Sequence, residues 1–77
     1  MDIAYGTKVY DYKKKSIGVL IATYNLGYVD APDATGAKVV DTNGRLYSTN
    51  LDNLSPIKEM EDDEIEKLNI PKYFLID

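Results

Sequence analysis

Ala37-Lys38-Val39-Val40-Asp41-Thr42-Asn43-Gly44-Arg45-Leu46-Tyr47-Ser48-Thr49 is the stretch whose reading decides the fold class. Two runs of strand-forming residues flank Asn43-Gly44. Asn-Gly is the pair that a tight hairpin prefers, because a type I′ turn needs two residues at positive φ. A two-residue loop sets Thr42 opposite Arg45, Val40 opposite Tyr47 and Val39 opposite Ser48. The stretch therefore predicts an antiparallel hairpin of strands 37–42 and 45–49.

Working outward toward the N-terminus, Ile17 to Tyr24 predicts the strongest strand. Regular alternation puts Ile17, Val19, Ile21 and Thr23 on one face and Leu20, Ala22 and Tyr24 on the other. Gly18 marks a bulge or a close backbone approach. Lys13-Lys14-Lys15-Ser16 reads as a charged turn, preceded by a strand over Thr7–Tyr12. In that strand Tyr10 and Tyr12 share a face and Val9 points the other way. The segment from Asn25 to Gly36, with Gly27, Pro32, Asp30 and Asp33, reads as a long loop of the kind that often carries function.

Toward the C-terminus, the leucines of Leu51-Asp52-Asn53-Leu54 are three apart, which suits a 3₁₀ turn. Ser55-Pro56-Ile57 follows as a short edge strand, where proline is tolerated. Over 59–70 the period changes. Acids come first and Lys67 late, the order a helix dipole favours, and Asn69 and Pro71 end the helix. Residues 72–77 close the chain with an apolar run that reads as a short terminal strand.

Gly6-Thr7-Lys8-Val9, Ile17-Gly18-Val19-Leu20-Ile21, Ala37-Lys38-Val39-Val40, Asn43-Gly44 and Leu51-Asp52-Asn53-Leu54-Ser55-Pro56-Ile57 occur in an order that resembles SH3-like small barrels. Tudor and KOW modules share that plan. The resemblance covers residues 6–57 and implies a mainly β fold, a small antiparallel barrel of about five strands. The acidic helix and the terminal strand lie outside it. It carries little about function, since one barrel hosts many unrelated activities.

With 77 residues, the chain has room for one domain, and a domain this short buries only about 60–65% of the surface its unfolded form exposes. It contains no cysteine and no histidine. That removes disulfides, cysteine-based zinc sites and the common neutral-pH general base. The net charge of −4 is uneven: residues 1–55 balance six basic against six acidic groups, whereas 56–77 carry three basic and seven acidic ones. The longest apolar run, Val19 to Ala22, is too short to span a bilayer, and no secretory signal is expected at the N-terminus. The expected address is the cytoplasm.

No nucleophile–base–orienter set can be assembled, so no enzyme activity, no metal site and no cofactor are expected. Asp30 and Asp33 beside Tyr28 could be imagined as paired acids, but loop aspartates ordinarily make Asx turns. Lys13, Lys14 and Lys15 form the cationic cluster and are candidate phosphate contacts; a solvated turn is the plainer account. Seven tyrosines stand out. Tyr10, Tyr12 and Tyr28 are expected either as exposed contact residues or as core fillers in a chain without tryptophan. With Asp30, Asp33, Glu61 and Asp62, they make up the expected partner-binding set. The leading expectation is a non-enzymatic protein-binding module, an inhibitor or adaptor that occludes a partner protein. Nucleic-acid binding through the lysine turn and sequestration of a small nucleotide or metabolite are the rivals. Tyr73 to Ile76 offers a homodimer contact if it exchanges between copies.

Overall fold

The computed structural model describes residues 3–27 and 34–76. These form one antiparallel sheet of five strands: β1 (Lys8–Asp11), β2 (Ser16–Asn25), β3 (Thr35–Asp41), β4 (Leu46–Asn50) and β5 (Leu54–Pro56). The strand order is β4-β3-β2-β1-β5, so β4 and β5 are the two edges and the sheet stays open. A 3₁₀ turn over Leu51–Asn53 links the last two strands, as the leucine spacing predicts. A second 3₁₀ turn, Ile57–Glu59, leads to two short helices, α1 (Asp62–Lys67) and α2 (Lys72–Leu75). Among the described residues no helix is long and apolar enough to cross a membrane.

The 37–49 hairpin forms, but its register differs by one residue from the expected one. Val39 pairs with Tyr47 and Val40 with Leu46. The cause is Asp41. Its Oδ1 accepts hydrogen bonds from the amides of Asn43 and Arg45, each at 2.9 Å. Gly44 N–H donates to the Asp41 carbonyl, and Gly44 alone takes positive φ, at 80°. This is a three-residue loop, a type I turn closed by a left-handed glycine. The shift brings Tyr47 to the same face as Val39, where it packs against the core.

The long strand β2 also departs from simple alternation. Its register to β3 shifts between Leu20 and Ala22, which leaves Ile21 as a bulge and 41% exposed. Past the bulge Ala22 and Tyr24 exchange faces with Thr23. Gly18 is not the bulge but a close approach: a Cβ there would lie 2.5 Å from Val39 Cγ1 and 2.6 Å from the Val40 carbonyl oxygen. The expected loop is also shorter, because β2 runs to Asn25 and Leu26 N–H donates to the Ala34 carbonyl.

Each face of the sheet has its own apolar cluster. Ile3, Val9, Leu20, Ala37, Val39, Leu51 and Leu54 fill one. Tyr10, Ile57, Ile70 and Phe74 form the other, with Ile17, Met60, Ile65 and Leu68 half-buried around them. Strand β1 is thus covered on both sides, which its short length and charged neighbours do not advertise. Tyr10 and Tyr12 do share a face, and the C-terminal helices bury Tyr10 while leaving Tyr12 exposed.

Helix α1 is shorter than the 59–70 expectation and ends as that reading requires. Asn69 adopts φ 57°. Its N–H donates to the Glu66 carbonyl and the Ile70 N–H to the Ile65 carbonyl. This is a Schellman closure, and it tucks Ile70 back against Ile65. The terminal strand expected over 72–77 is instead the single helical turn α2. Pro71, at φ −62°, starts the turn, and Phe74 N–H donates to its carbonyl. The neighbouring edge β5 has three residues, one of them a proline without an N–H, so it is a poor template for another strand. A helical turn buries Phe74 and leaves Tyr73 and Ile76 in solvent.

Candidate functional site

A concavity lies where the helices meet the start of the sheet. It is an open groove of about 500 Å³, lined by Tyr5, Ile57, Met60, Ile65 and Phe74 with Lys8, Lys58 and Asp62 among its polar residues. Each wall has a local cause. Gly6, at φ 90°, lets the N-terminal turn fold back so that its N–H donates to the Leu20 carbonyl, and this presents Tyr5. The Tyr5 hydroxyl accepts from the Thr23 amide and bonds the Thr23 hydroxyl, which anchors it beside the β2 bulge. On the opposite wall the Lys8 ammonium donates to the Ile76 carbonyl and lies 5.5 Å from the centre of the Phe74 ring. That cation–π contact clamps α2 to β1.

The acidic segment borders this groove. Glu61, Asp62, Asp63 and Glu66 face solvent, and Glu64 is half-buried. Tyr12 donates its hydroxyl to Glu64 Oε1, which ties α1 to the turn after β1. Its ring stands edge-on to Tyr10 at 5.0 Å between centroids. The hydrogen bond to Glu64, then burial, then the Glu64 charge push the Tyr12 phenol above its ordinary value.

Of the expected partner-binding residues, Tyr12, Glu61 and Asp62 are exposed and lie on or beside α1. Tyr10 is corrected: it is only 6% exposed and packs beneath the helices, because Ile70 and Phe74 need an apolar floor. Tyr28, Asp30 and Asp33 lie outside the described residues. Lys13, Lys14 and Lys15 form an exposed turn away from the groove.

That lysine turn rests on a residue the sequence reading passed over. Asp11 is 1% exposed, and its Oδ1 accepts from the amides of Lys13 and Lys14 at 2.9 and 3.0 Å. The Tyr47 hydroxyl donates to its Oδ2 at 3.2 Å. Burial is the first cause of a raised Tyr47 phenol, with the Asp11 and Asp41 charges adding and a hydrogen bond to Ser16 opposing. An aspartate two and three residues before the amides it caps is a legible Asx signal. Tyr5 and Phe74 were also missed as site residues, since no local pattern links chain positions 69 apart.

Among the described residues, no three acidic side chains gather as a metal ion would require. What the groove offers is apolar contact area with Lys8, Lys58 and Asp62 on its walls and the remaining exposed acids of the 61–66 segment beside it. Comparison of this chain with protein-family models, with curated proteins and with solved structures returns no match.

Proposed function

We propose that this chain is a non-enzymatic, cytoplasmic protein-binding module on an SH3-like small barrel, an inhibitor or adaptor that occludes its partner. The observation that carries the reading is the groove of about 500 Å³ with apolar walls beside the exposed acids of α1. Its occupant is a basic segment of a partner protein with an apolar anchor: the anchor fills the space between Tyr5 and Phe74, and basic side chains meet Glu61 and Asp62. Tyr12 stiffens α1 through Glu64 and so presents those acids. The strand order and the 3₁₀ link between β4 and β5 support the barrel plan, and the lack of histidine and cysteine supports a non-catalytic role.

The groove is tested by immobilising the full chain, identifying a captured protein and measuring its affinity directly. Met60→Glu blocks the apolar anchor, and Glu61→Lys with Asp62→Lys reverses the charge. Both weaken binding by at least about tenfold, and the wild-type on-rate falls with added salt. An affinity unchanged in both variants overturns the reading. Tyr73 and Ile76, exposed at 65% and 70%, favour a second copy of this chain as the rival occupant. Concentration-dependent dimerisation in sedimentation equilibrium, abolished by Tyr73→Ala with Ile76→Ala, selects that rival.

A further inference from the structure

We propose that the open edge of β4 is a second binding site, which takes an extended acidic segment of a partner protein as an added strand. The two edges of the sheet differ in protection. Strand β5 is three residues long and contains Pro56. Strand β4 is five residues long, and Leu46-Tyr47-Ser48-Thr49-Asn50 holds no charge and no proline. Unpaired strands are ordinarily blunted by charge, proline or a bulge, because their free backbone groups pair with any other strand that arrives.

The register identifies the free groups. Asp41 N–H donates to the Arg45 carbonyl, so Asp41 and Arg45 form a hydrogen-bonded pair. Such pairs alternate along an antiparallel ladder, which makes Val39–Tyr47 and Ala37–Thr49 the next two. The N–H and C=O groups of Leu46 and Ser48 consequently point to the open side. Among the described residues nothing bonds them there. Leu46 is 55% exposed beside its cross-strand neighbour Val40.

Charge selects the occupant. A cleft of about 260 Å³ beside the strand is lined by Lys13, Lys14, Tyr24, Ser48, Thr49 and Asn50. Its lining joins the lysine turn and Tyr24 of β2 to the C-terminal half of β4, so the lysines and the strand border one space. Lys14 is held over the Tyr47 ring at 6.0 Å, and Asp11 fixes the turn that presents both lysines. Arg45 flanks the other end of the strand in solvent. Asp11 and Asp41 are engaged by backbone amides, and the exposed acid Asp52 lies two residues beyond the end of the strand. An added strand with alternating acidic side chains matches both the backbone ladder and the cations. A phosphodiester chain would meet the lysines but has no backbone N–H to offer the outward carbonyls of Leu46 and Ser48.

This site is at the opposite edge of the sheet from the groove and stands whether or not the groove takes a partner. The test is an amide NMR titration of the full chain with a short synthetic peptide of alternating Glu and Val. Two controls are the same peptide N-methylated at alternate amides and a Lys–Val counterpart. The Glu–Val peptide is expected to shift the amides of Leu46 to Asn50 and to slow exchange of the Leu46 and Ser48 N–H, while neither control does. Lys13→Glu with Lys14→Glu weakens binding about tenfold. Ser48→Pro removes an outward N–H without touching the ladder to β3 and abolishes binding while the remaining spectrum stays folded. Absence of binding, equal binding of either control, or shifts confined to the helices overturns the proposal. So does peptide-free dimerisation through β4, or oligothymidylate binding that shifts Lys13 to Lys15 and leaves β4 unmoved.

Discussion

Asp11 shows how one side chain can organise a surface. A buried carboxylate costs free energy unless its oxygens are satisfied, and here two amides and the Tyr47 hydroxyl satisfy them. Tyr47 and Tyr12 then give the protein an alkaline limit. Both phenols titrate above their ordinary value of about 10 when folded. The folded state therefore holds these protons more tightly than the unfolded chain. Their stabilisation is complete below about pH 10 and is lost as pH rises through the folded values. Urea midpoints are expected to fall steeply above that pH, and Tyr12→Phe with Tyr47→Phe should flatten the fall. An unchanged alkaline slope in the double variant would show that other groups set it.

At the level of elements, two glycines of the sheet are tight for different reasons. A Cβ at Gly18 would strike the Val40 carbonyl and a fully buried Val39 methyl, neither of which can move cheaply. At Gly36 it would meet the outer ring atoms of Tyr24, a side chain 38% exposed and free to swing away. Gly18→Ala is expected to cost about 2 kcal/mol, in the range for overpacking, and Gly36→Ala less than about 1 kcal/mol. Denaturant unfolding of the two variants checks the ranking, and equal losses would contradict it. The hairpin carries the matching lesson about legibility. Asn43-Gly44 announces a turn correctly, but the register belongs to Asp41, whose carboxylate reaches past the loop to the Arg45 amide. A dipeptide rule weighs only the loop residues and so misses the residue before them.

Across the whole molecule, the C-terminal segment closes the second face of the sheet rather than extending it. Phe74 joins Tyr10, Ile57 and Ile70 in a cluster that spans most of the chain length. A domain of this size holds only about 4–12 kcal/mol of stability in total. Phe74→Ala is expected to remove about 3 kcal/mol and to expose Tyr10, which thermal unfolding and tyrosine fluorescence would register together. A loss under about 1 kcal/mol would mean that the helices are ornamental to the fold.

Strand positions, the 3₁₀ turn after β4, the proline-bearing edge and the acidic helix could all be read along the chain, because each depends on neighbours within a few residues. The acids beside the groove were visible for the same reason. Which tyrosine is buried, which register the hairpin keeps and where the apolar groove opens were settled only by packing. Those outcomes rest on contacts such as Lys8 with Phe74 and Tyr12 with Glu64, between residues far apart in sequence. No local pattern encodes such a pairing; it exists only once the backbone has brought both partners to one place.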